Sequence, residues 1–250
     1  SNGSIQLWNI KTGEPAATFI GHGYHINSLA FSANGQILMS SAYDSKIKLW
    51  NTATGQIIRT IFTNQYDLSS AAFSPNGAQI VTSSPRNVLA WNTSGNLLRV
   101  YSNKESFTIE SLSFSPNGLN LASAYGNSWN LDNSPSALAS LNPLSKAIEI
   151  WDVNTTQSLF TLNAHTQQIN EAVFSPNGSY LLSGSEDEKA ILWDLNKKNI
   201  YRILEGHTGS ITSVAYSPNG SQLITGSEDG TARLWNASDG KFLTIMAGHK

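Results

Sequence analysis

A repeated pair of landmarks constrains the fold of this chain more than any other feature of its sequence. A tryptophan followed by Asn or Asp recurs with successive spacings of 42, 41, 60, 42 and 42 residues. An aromatic-Ser-Pro-Asn-Gly motif, once with Ala in place of Pro, lies midway between the tryptophans. A fixed period of about 40 residues indicates structural repeats that must stack on their neighbours to bury a core.

Each repeat reads as four short strands. In the last one, the runs ITSVAYS, SQLITGS, TARLWN and KFLTIMA are separated by SPNG, EDG and SDG turns. A four-stranded antiparallel sheet buries both faces only by stacking on other sheets around an axis. The sequence therefore predicts an all-β fold, a β-propeller of four-stranded antiparallel blades, with five complete blades plus a half blade in this chain.

The blade boundaries follow from the same period. We expect a half blade over residues 1–22 and complete blades over 23–63, 64–103, 104–164, 165–206 and 207–248. An insertion over 125–146 explains the long 60-residue interval. The half blade at the start and the GHK sequence at the end lead us to expect that the missing strands come from the rest of a longer polypeptide or from a partner.

A His, a Ser or Thr, and an Asp keep constant distances from the Trp in three repeats, 28, 10 and 6 residues before it. A catalytic triad is normally present once, whereas a set that recurs serves something every repeat needs. We interpret each set as a structural relay from indole N–H through hydroxyl and imidazole to carboxylate, which spares buried polar groups from losing their partners. The three sets are His22, Ser40, Asp44 and Trp50; His165, Ser183, Asp187 and Trp193; and His207, Thr225, Asp229 and Trp235.

The GH dipeptides, the SPNG turns, the SEDGT turn and the closing LWN or LWD resemble the WD-repeat (WD40) β-propeller family over nearly the whole chain outside the insertion. The resemblance implies that the recurring set is that family's structural tetrad. It also implies a non-enzymatic scaffold or sensor, quite often joined to an effector domain, which binds other proteins through its top-face loops. No cofactor is implied.

Two repeats and the insertion depart from the pattern. The repeat that ends at Trp91 has Asn64 for the His, and the repeat that ends at Trp151 has Glu105 for the His and Ser145 for the Asp. We interpret these changes as degeneracy that hydrophobic stacking tolerates. The insertion carries many apolar residues, and two interpretations of it stay open: a partner-binding element, or a plug over the irregular blade.

Composition excludes several function classes. The 15 Lys and Arg residues are scattered in a chain of net charge −2, which argues against direct nucleic-acid binding. No apolar run is long enough to cross a bilayer. There is no cysteine, and no metal-ligand motif occurs, so we expect no metal site. Absence of cysteine does not itself fix the compartment; separately, we expect a cytoplasmic protein that binds a protein or peptide partner.

The candidate partner-binding residues are those expected at the top face, where the loops carrying GH and the turns between second and third strands project. Acidic side chains there favour a basic partner. An alternative is a small-ligand, metal or enzymatic site in the central channel, for which the first strands offer only Glu110 and Glu171. The top-face candidates are Tyr24, His25, Tyr43, Arg86, Tyr125, Trp129, Gln168, Glu186, Thr212 and Glu228.

Overall fold

The structure, a computed structural model, describes residues 3–63, 68–84, 87–102, 108–126 and 146–248. The elements within these ranges are 22 β-strands. They form five sheets of four antiparallel strands and one sheet of two. This arrangement confirms the all-β prediction and the predicted set of five complete blades plus a half blade.

The N-terminal compact unit, Ser1–Asn103, contains the two-stranded sheet β1–β2 and the four-stranded sheets β3–β6 and β7–β10. In each four-stranded sheet the spatial order follows the chain order, so every connection is a hairpin. Its strands are β1 Ser4–Trp8, β2 Pro15–Ile20, β3 Ile26–Phe31, β4 Ile37–Ala42, β5 Lys46–Asn51, β6 Ile57–Phe62, β7 Ala71–Phe73, β8 Gln79–Ser83, β9 Asn87–Asn92 and β10 Leu97–Ser102.

The C-terminal compact unit, Lys104–Lys250, contains the sheets β11–β14, β15–β18 and β19–β22 with the same hairpin order. Its strands are β11 Ile109–Phe114, β12 Asn120–Tyr125, β13 Ala147–Asp152, β14 Ser158–Asn163, β15 Ile169–Phe174, β16 Tyr180–Ser185, β17 Ala190–Asp194, β18 Asn199–Leu204, β19 Ile211–Tyr216, β20 Gln222–Ser227, β21 Thr231–Asn236 and β22 Phe242–Ala247.

Local sequence explains the SPNG turns that join the first two strands of each sheet. Between β15 and β16, the Ser175 hydroxyl donates to Asn177 Oδ1 at 2.7 Å, and the same oxygen accepts the Ser179 backbone N–H at 3.0 Å. Gly178 has a φ of 72°, a left-handed conformation that glycine adopts without strain. The motif therefore supplies its own hydrogen bonds and its own backbone freedom.

Apolar side chains between consecutive sheets form the core of each unit. In the C-terminal unit, Ile148 and Ile150 of one sheet pack with Ile169 and Leu181 of the next. In the N-terminal unit, Met39 belongs to a cluster shared by the β3–β6 and β7–β10 sheets. Full burial of one such side chain contributes about 1.5–3 kcal/mol, which makes sheet stacking the main source of stability.

A β-bulge recurs near the start of the first strand in four sheets. The register shifts between Ile26 and Ser28 in β3, and equivalent shifts occur in β11, β15 and β19. A bulge leaves one residue unpaired and re-aims its side chain. The residues skipped in this way are Asn27, Glu110, Asn170 and Thr212.

Candidate functional site

The β15–β18 sheet brings four predicted residues into one hydrogen-bonded relay. Trp193 Nε1 donates to Ser183 Oγ at 2.8 Å, and the Ser183 hydroxyl lies 2.8 Å from His165 Nε2. His165 Nδ1 lies 2.9 Å from Asp187 Oδ2. Because a carboxylate only accepts, His165 carries a proton on Nδ1 and donates it to Asp187. In that tautomer Nε2 is an acceptor, which the Ser183 hydroxyl can serve as donor.

The other two predicted sets have the same geometry. In the N-terminal unit, His22 lies 2.7 Å from Ser40 Oγ and 3.0 Å from Asp44 Oδ2. In the β19–β22 sheet, the corresponding distances from His207 are 2.8 Å to Thr225 Oγ1 and 2.7 Å to Asp229 Oδ2. The indole groups of Trp50 and Trp235 donate to these hydroxyls at 2.8 and 3.0 Å.

The Asp carboxylate joins a loop to a turn in each set. Asp187 Oδ2 also accepts the backbone N–H of Thr166 in the loop before β15, at 2.9 Å. Its other oxygen accepts the backbone N–H of Lys189 in the turn before β17, at 3.1 Å. Both carboxylate oxygens therefore have hydrogen-bond partners within the fold. We call this end of each sheet, where the second strand turns into the third, the tetrad end.

Burial and hydrogen bonding shift the pKa values of this network. Burial raises the pKa of the Asp187 carboxyl, but hydrogen bonds from His165 and from backbone N–H groups outweigh it, so the pKa falls below its usual value. Burial also lowers the pKa of His22, despite its bond to Asp44. The first shift favours the charged form of the Asp187 carboxylate, and the second favours the neutral form of the His22 imidazole.

Among the residues that the structure describes, the two irregular sheets show the first step of the relay. Trp91 Nε1 donates to Thr82 Oγ1 at 3.0 Å, and Trp151 Nε1 donates to Ser123 Oγ at 2.9 Å. The residues at the altered His and Asp positions, namely Asn64, Glu105 and Ser145, lie outside the described residues.

Three of the candidate partner-binding residues lie at the tetrad end of the N-terminal unit. Tyr24 and His25 precede β3, and Tyr43 follows β4 immediately before the tetrad residue Asp44. The two tyrosines are 63% and 48% exposed, which is a large accessible area for aromatic side chains in a turn and a loop. His25 is exposed as well. Arg86, the fourth candidate in this unit, lies outside the described residues.

In the C-terminal unit, the tetrad end carries Glu186 and Glu228, each directly before its tetrad Asp. Glu228 is exposed, and Glu186 is half-buried. Burial, together with the negative charges of Glu228 and Glu110, raises the pKa of Glu186. Gln168 is half-buried and donates to Asn170 Oδ1 at 3.3 Å. Two further carboxylates therefore act on Glu186 at this end of the unit.

Two expectations about accessible residues need correction. Thr212 is exposed, but it is the bulged residue of β19 and not a loop residue. Tyr125 is only 2% exposed, because it is the last residue of β12 and its hydroxyl turns inward and donates to Glu149 Oε2. Tyr125 is therefore not a surface residue available to a partner. Trp129 and the rest of 127–145 lie outside the described residues.

The carboxylates proposed for a channel site have internal partners. Glu171 Oε2 accepts the backbone N–H of Val214, at 2.7 Å, and so cross-links adjacent sheets. Glu110 Oε1 accepts the hydroxyl of Thr108 at 2.7 Å. Within the described ranges, no three His, Cys, Asp or Glu side chains are grouped so that they could hold a metal ion. No helix in those ranges is long and apolar enough to cross a bilayer.

A tyrosine-lined cavity at the other end of two sheets was missed by the sequence reasoning. It has a volume of about 510 Å³ and lies between the β15–β18 and β19–β22 sheets, with Tyr180, Tyr201 and Tyr216 in its lining. The Tyr216 hydroxyl is buried and has no hydrogen-bond partner in the described part of the chain. An orphaned hydroxyl costs about 1–3 kcal/mol. The only sequence signal was Tyr in a motif that elsewhere has Phe.

Comparison with known proteins agrees with the repeat pattern. Residues 13–51, 156–194 and 198–236 match the family described as WD domain, G-beta repeat, and each match contains one complete tetrad. These matches confirm the resemblance to WD-repeat proteins. A 47-residue stretch is 43% identical to nuclear distribution protein PAC1 of Arthroderma otae, and it covers 19% of this chain and 10% of that protein.

Proposed function

We propose, from the premise that this chain carries WD repeats, that it is a non-enzymatic protein-interaction module, a scaffold or sensor that binds partner proteins through the tetrad ends of its sheets. WD repeats typically mediate protein binding, and we assign that role to this chain. The expected cytoplasmic location remains part of the proposal.

One observation carries this proposal. In each of the three regular sheets, the residues that resemble catalytic groups are used internally, since every His, hydroxyl and Asp of the tetrad has its hydrogen-bond partners within the fold. The side chains that remain accessible at the same end include large aromatics such as Tyr24 and Tyr43. Tyrosine is enriched at binding hot spots because it offers a large contact area and a polar tip.

Charge adds a preference for the kind of partner. Glu186 and Glu228 carry negative charge at the tetrad end of the C-terminal unit, and Glu110 is close enough to act on Glu186 electrostatically. A partner with Lys or Arg at the contact would meet a complementary potential, which raises association rates and selects against acidic proteins. We therefore propose a basic segment in the partner.

The test is quantitative affinity capture from an extract of the source cells with two matched double variants. Tyr24→Ala with Tyr43→Ala removes the exposed aromatics of the tetrad end. Ile10→Ala with Leu97→Ala removes exposed apolar side chains near the opposite end, where they are 97% and 50% exposed. We expect the tyrosine variant to lose at least tenfold in recovery of a captured protein, because hot-spot truncations cost roughly 2 kcal/mol or more.

The control variant should recover the same protein as the parent chain, and all three proteins should melt at the same temperature. Equal recovery by the tyrosine variant and the parent would contradict the proposed surface. Failure of the parent to retain any protein that a propeller control retains would contradict the function itself.

A further inference from the structure

The fourth strand of each four-stranded sheet lies at an edge of its sheet, where it pairs with a single neighbour. Such a strand presents a row of backbone N–H and C=O groups with which another chain can pair. Proteins block that pairing with charged side chains or proline on the edge strand. The fourth strands are β6, β10, β14, β18 and β22.

Four of these strands have a cation at one register position, which we call the guard position. The guard residue pairs with the residue just before the recurring Trp, and it is Arg59 in β6, Arg99 in β10 and Arg202 in β18. In β14 the guard residue is Phe160, and Lys198 Nζ lies 4.8 Å from the centroid of its ring. Like charges that face one another across strands are destabilising, so these cations oppose the pairing of each strand with a copy of itself.

Strand β22 has no cation at its guard position. That position is Thr244, which pairs with Leu234 just before Trp235. The strand sequence FLTIMA contains no charged residue, and all six of its residues are exposed. An uncharged, apolar edge strand without proline is prone to pair with another strand. Its large apolar side chains are 45–48% exposed, namely Phe242, Leu243, Ile245 and Met246.

Two cations lie near β22, but neither occupies its free edge. Lys241 precedes the strand, and its Nζ lies 3.2 Å from Asp239 Oδ2. Arg233 is half-buried on the preceding strand β21, with its guanidinium carbon 5.5 Å from the centroid of the Phe242 ring. The edge of β22 around Thr244 is therefore neutral and apolar, unlike the edges of the other four fourth strands.

We propose that β22 pairs antiparallel with β22 of a second copy of this chain, so that two four-stranded sheets join into one about a two-fold axis. In a two-fold pairing, the residues at the centre of a strand face their own counterparts. Thr244 and Ile245 at the centre of β22 are neutral, whereas a central Arg such as Arg59 would face a like charge. β22 is therefore the fourth strand best suited to meet its own copy. A single strand pair is a small interface, so we expect reversible association.

Analytical ultracentrifugation of the whole chain over a range of concentrations tests the pairing. We expect a reversible monomer–dimer equilibrium for the parent. Thr244→Arg places a cation at the guard position, and we expect it to raise the dimer Kd at least about tenfold, because two like charges then meet in the interface. Thr161→Arg is the matched control, since it adds the same charge to an exposed residue of β14. It should leave the Kd unchanged, and both variants should melt at the temperature of the parent.

Site-directed crosslinking locates the contact, because the chain has no cysteine of its own. With oxidised glutathione as oxidant, at least one of Thr244→Cys and Ile245→Cys should form a disulfide-linked dimer, which requires Cα atoms about 4.4–6.8 Å apart. Thr161→Cys should stay monomeric. The proposal is overturned if the parent is monomeric at every concentration, if Thr244→Arg associates like the parent, if neither β22 thiol crosslinks, or if assemblies larger than dimers form. None of these outcomes involves Tyr24 or Tyr43, so the proposed function is tested separately.

Discussion

At the scale of single residues, one hydroxyl is the centre of each tetrad. Thr225 Oγ1 accepts from Trp235 Nε1 at 3.0 Å and lies 2.8 Å from His207 Nε2, and its residue is fully buried. Without the hydroxyl, the indole N–H and the imidazole nitrogen both lose their partner at once in a place that water does not reach. The recurring Ser or Thr hydroxyl is therefore the hydrogen-bond partner of two other buried side chains, the Trp indole and the His imidazole.

A pair of near-isosteric substitutions tests this role. Thr225→Val keeps the shape and deletes the hydroxyl, and we expect a loss of about 2–6 kcal/mol, since each of the two orphaned groups costs about 1–3 kcal/mol. Thr225→Ser keeps the hydroxyl and deletes a methyl group, at about 1 kcal/mol. Thermal unfolding followed by circular dichroism should rank the variants in that order. Equal melting temperatures for the two would mean that the relay contributes nothing beyond packing.

At the scale of elements, the turns between third and fourth strands differ in how well their sequences suit their backbone. Gly13, Gly55 and Gly240 have φ values of 72–73° in three of these turns. The equivalent residue after β13 is Thr156, with a φ of 61°. A β-branched residue is a true outlier in this region. The fold therefore imposes the turn here against the preference of its residue.

Thr156→Gly should accordingly stabilise the chain. The left-handed conformation costs a non-glycine residue about 1–2 kcal/mol, and the extra entropy of glycine in the unfolded chain offsets part of that, so a net gain of about 0.5–1 kcal/mol is expected. Thr155→Gly is the matched control. It removes the Thr155 hydroxyl, which donates to Asp152 Oδ1 at 2.9 Å, and should therefore lower the melting temperature. If thermal melting placed Thr156→Gly below the parent, strain at this turn would be refuted.

The period predicted the sheets well, but it could not predict their bulges. Alternation and turn motifs place four strands in each repeat because they depend on neighbouring residues. The skipped positions at Asn27, Asn170 and Thr212 depend instead on how first and second strands twist against each other, and sequence alternation carries no mark of that. Thr212, expected in a top-face loop, was consequently found in a strand.

At the scale of the whole molecule, the repeat explains which site features could be foreseen. The tetrads were predictable because three repeats of the same chain share their spacing, so the repeats can be compared with one another. The tyrosine cavity was not, because Tyr180, Tyr201 and Tyr216 come from three strands of two sheets and meet only after stacking. Likewise, the burial of Tyr125 depends on Glu149, which lies across the insertion in sequence.

Replacing the insertion distinguishes the two roles that its sequence leaves open, a partner-binding element and a plug over the irregular blade. The strands on either side of it, β12 and β13, pair from Asn120↔Asp152 to Ala124↔Ile148. This ladder and the buried Tyr125 belong to the sheet itself, and a shorter connection lowers the entropy cost of closing the loop. We therefore expect the chain with residues 127–143 replaced by a short Gly-Ser turn to melt within a few degrees of the parent.

Affinity capture with that replacement then assigns the insertion. Loss of a captured protein at an unchanged melting temperature would make the insertion, Trp129 included, the recognition element. Retention of the protein would leave recognition to the tetrad-end residues such as Tyr24 and Tyr43. A fall in melting temperature beyond about 5 °C would contradict our expectation and identify the insertion as structural cover, since a loss of 1 kcal/mol moves a chain of this size by roughly 2–4 °C.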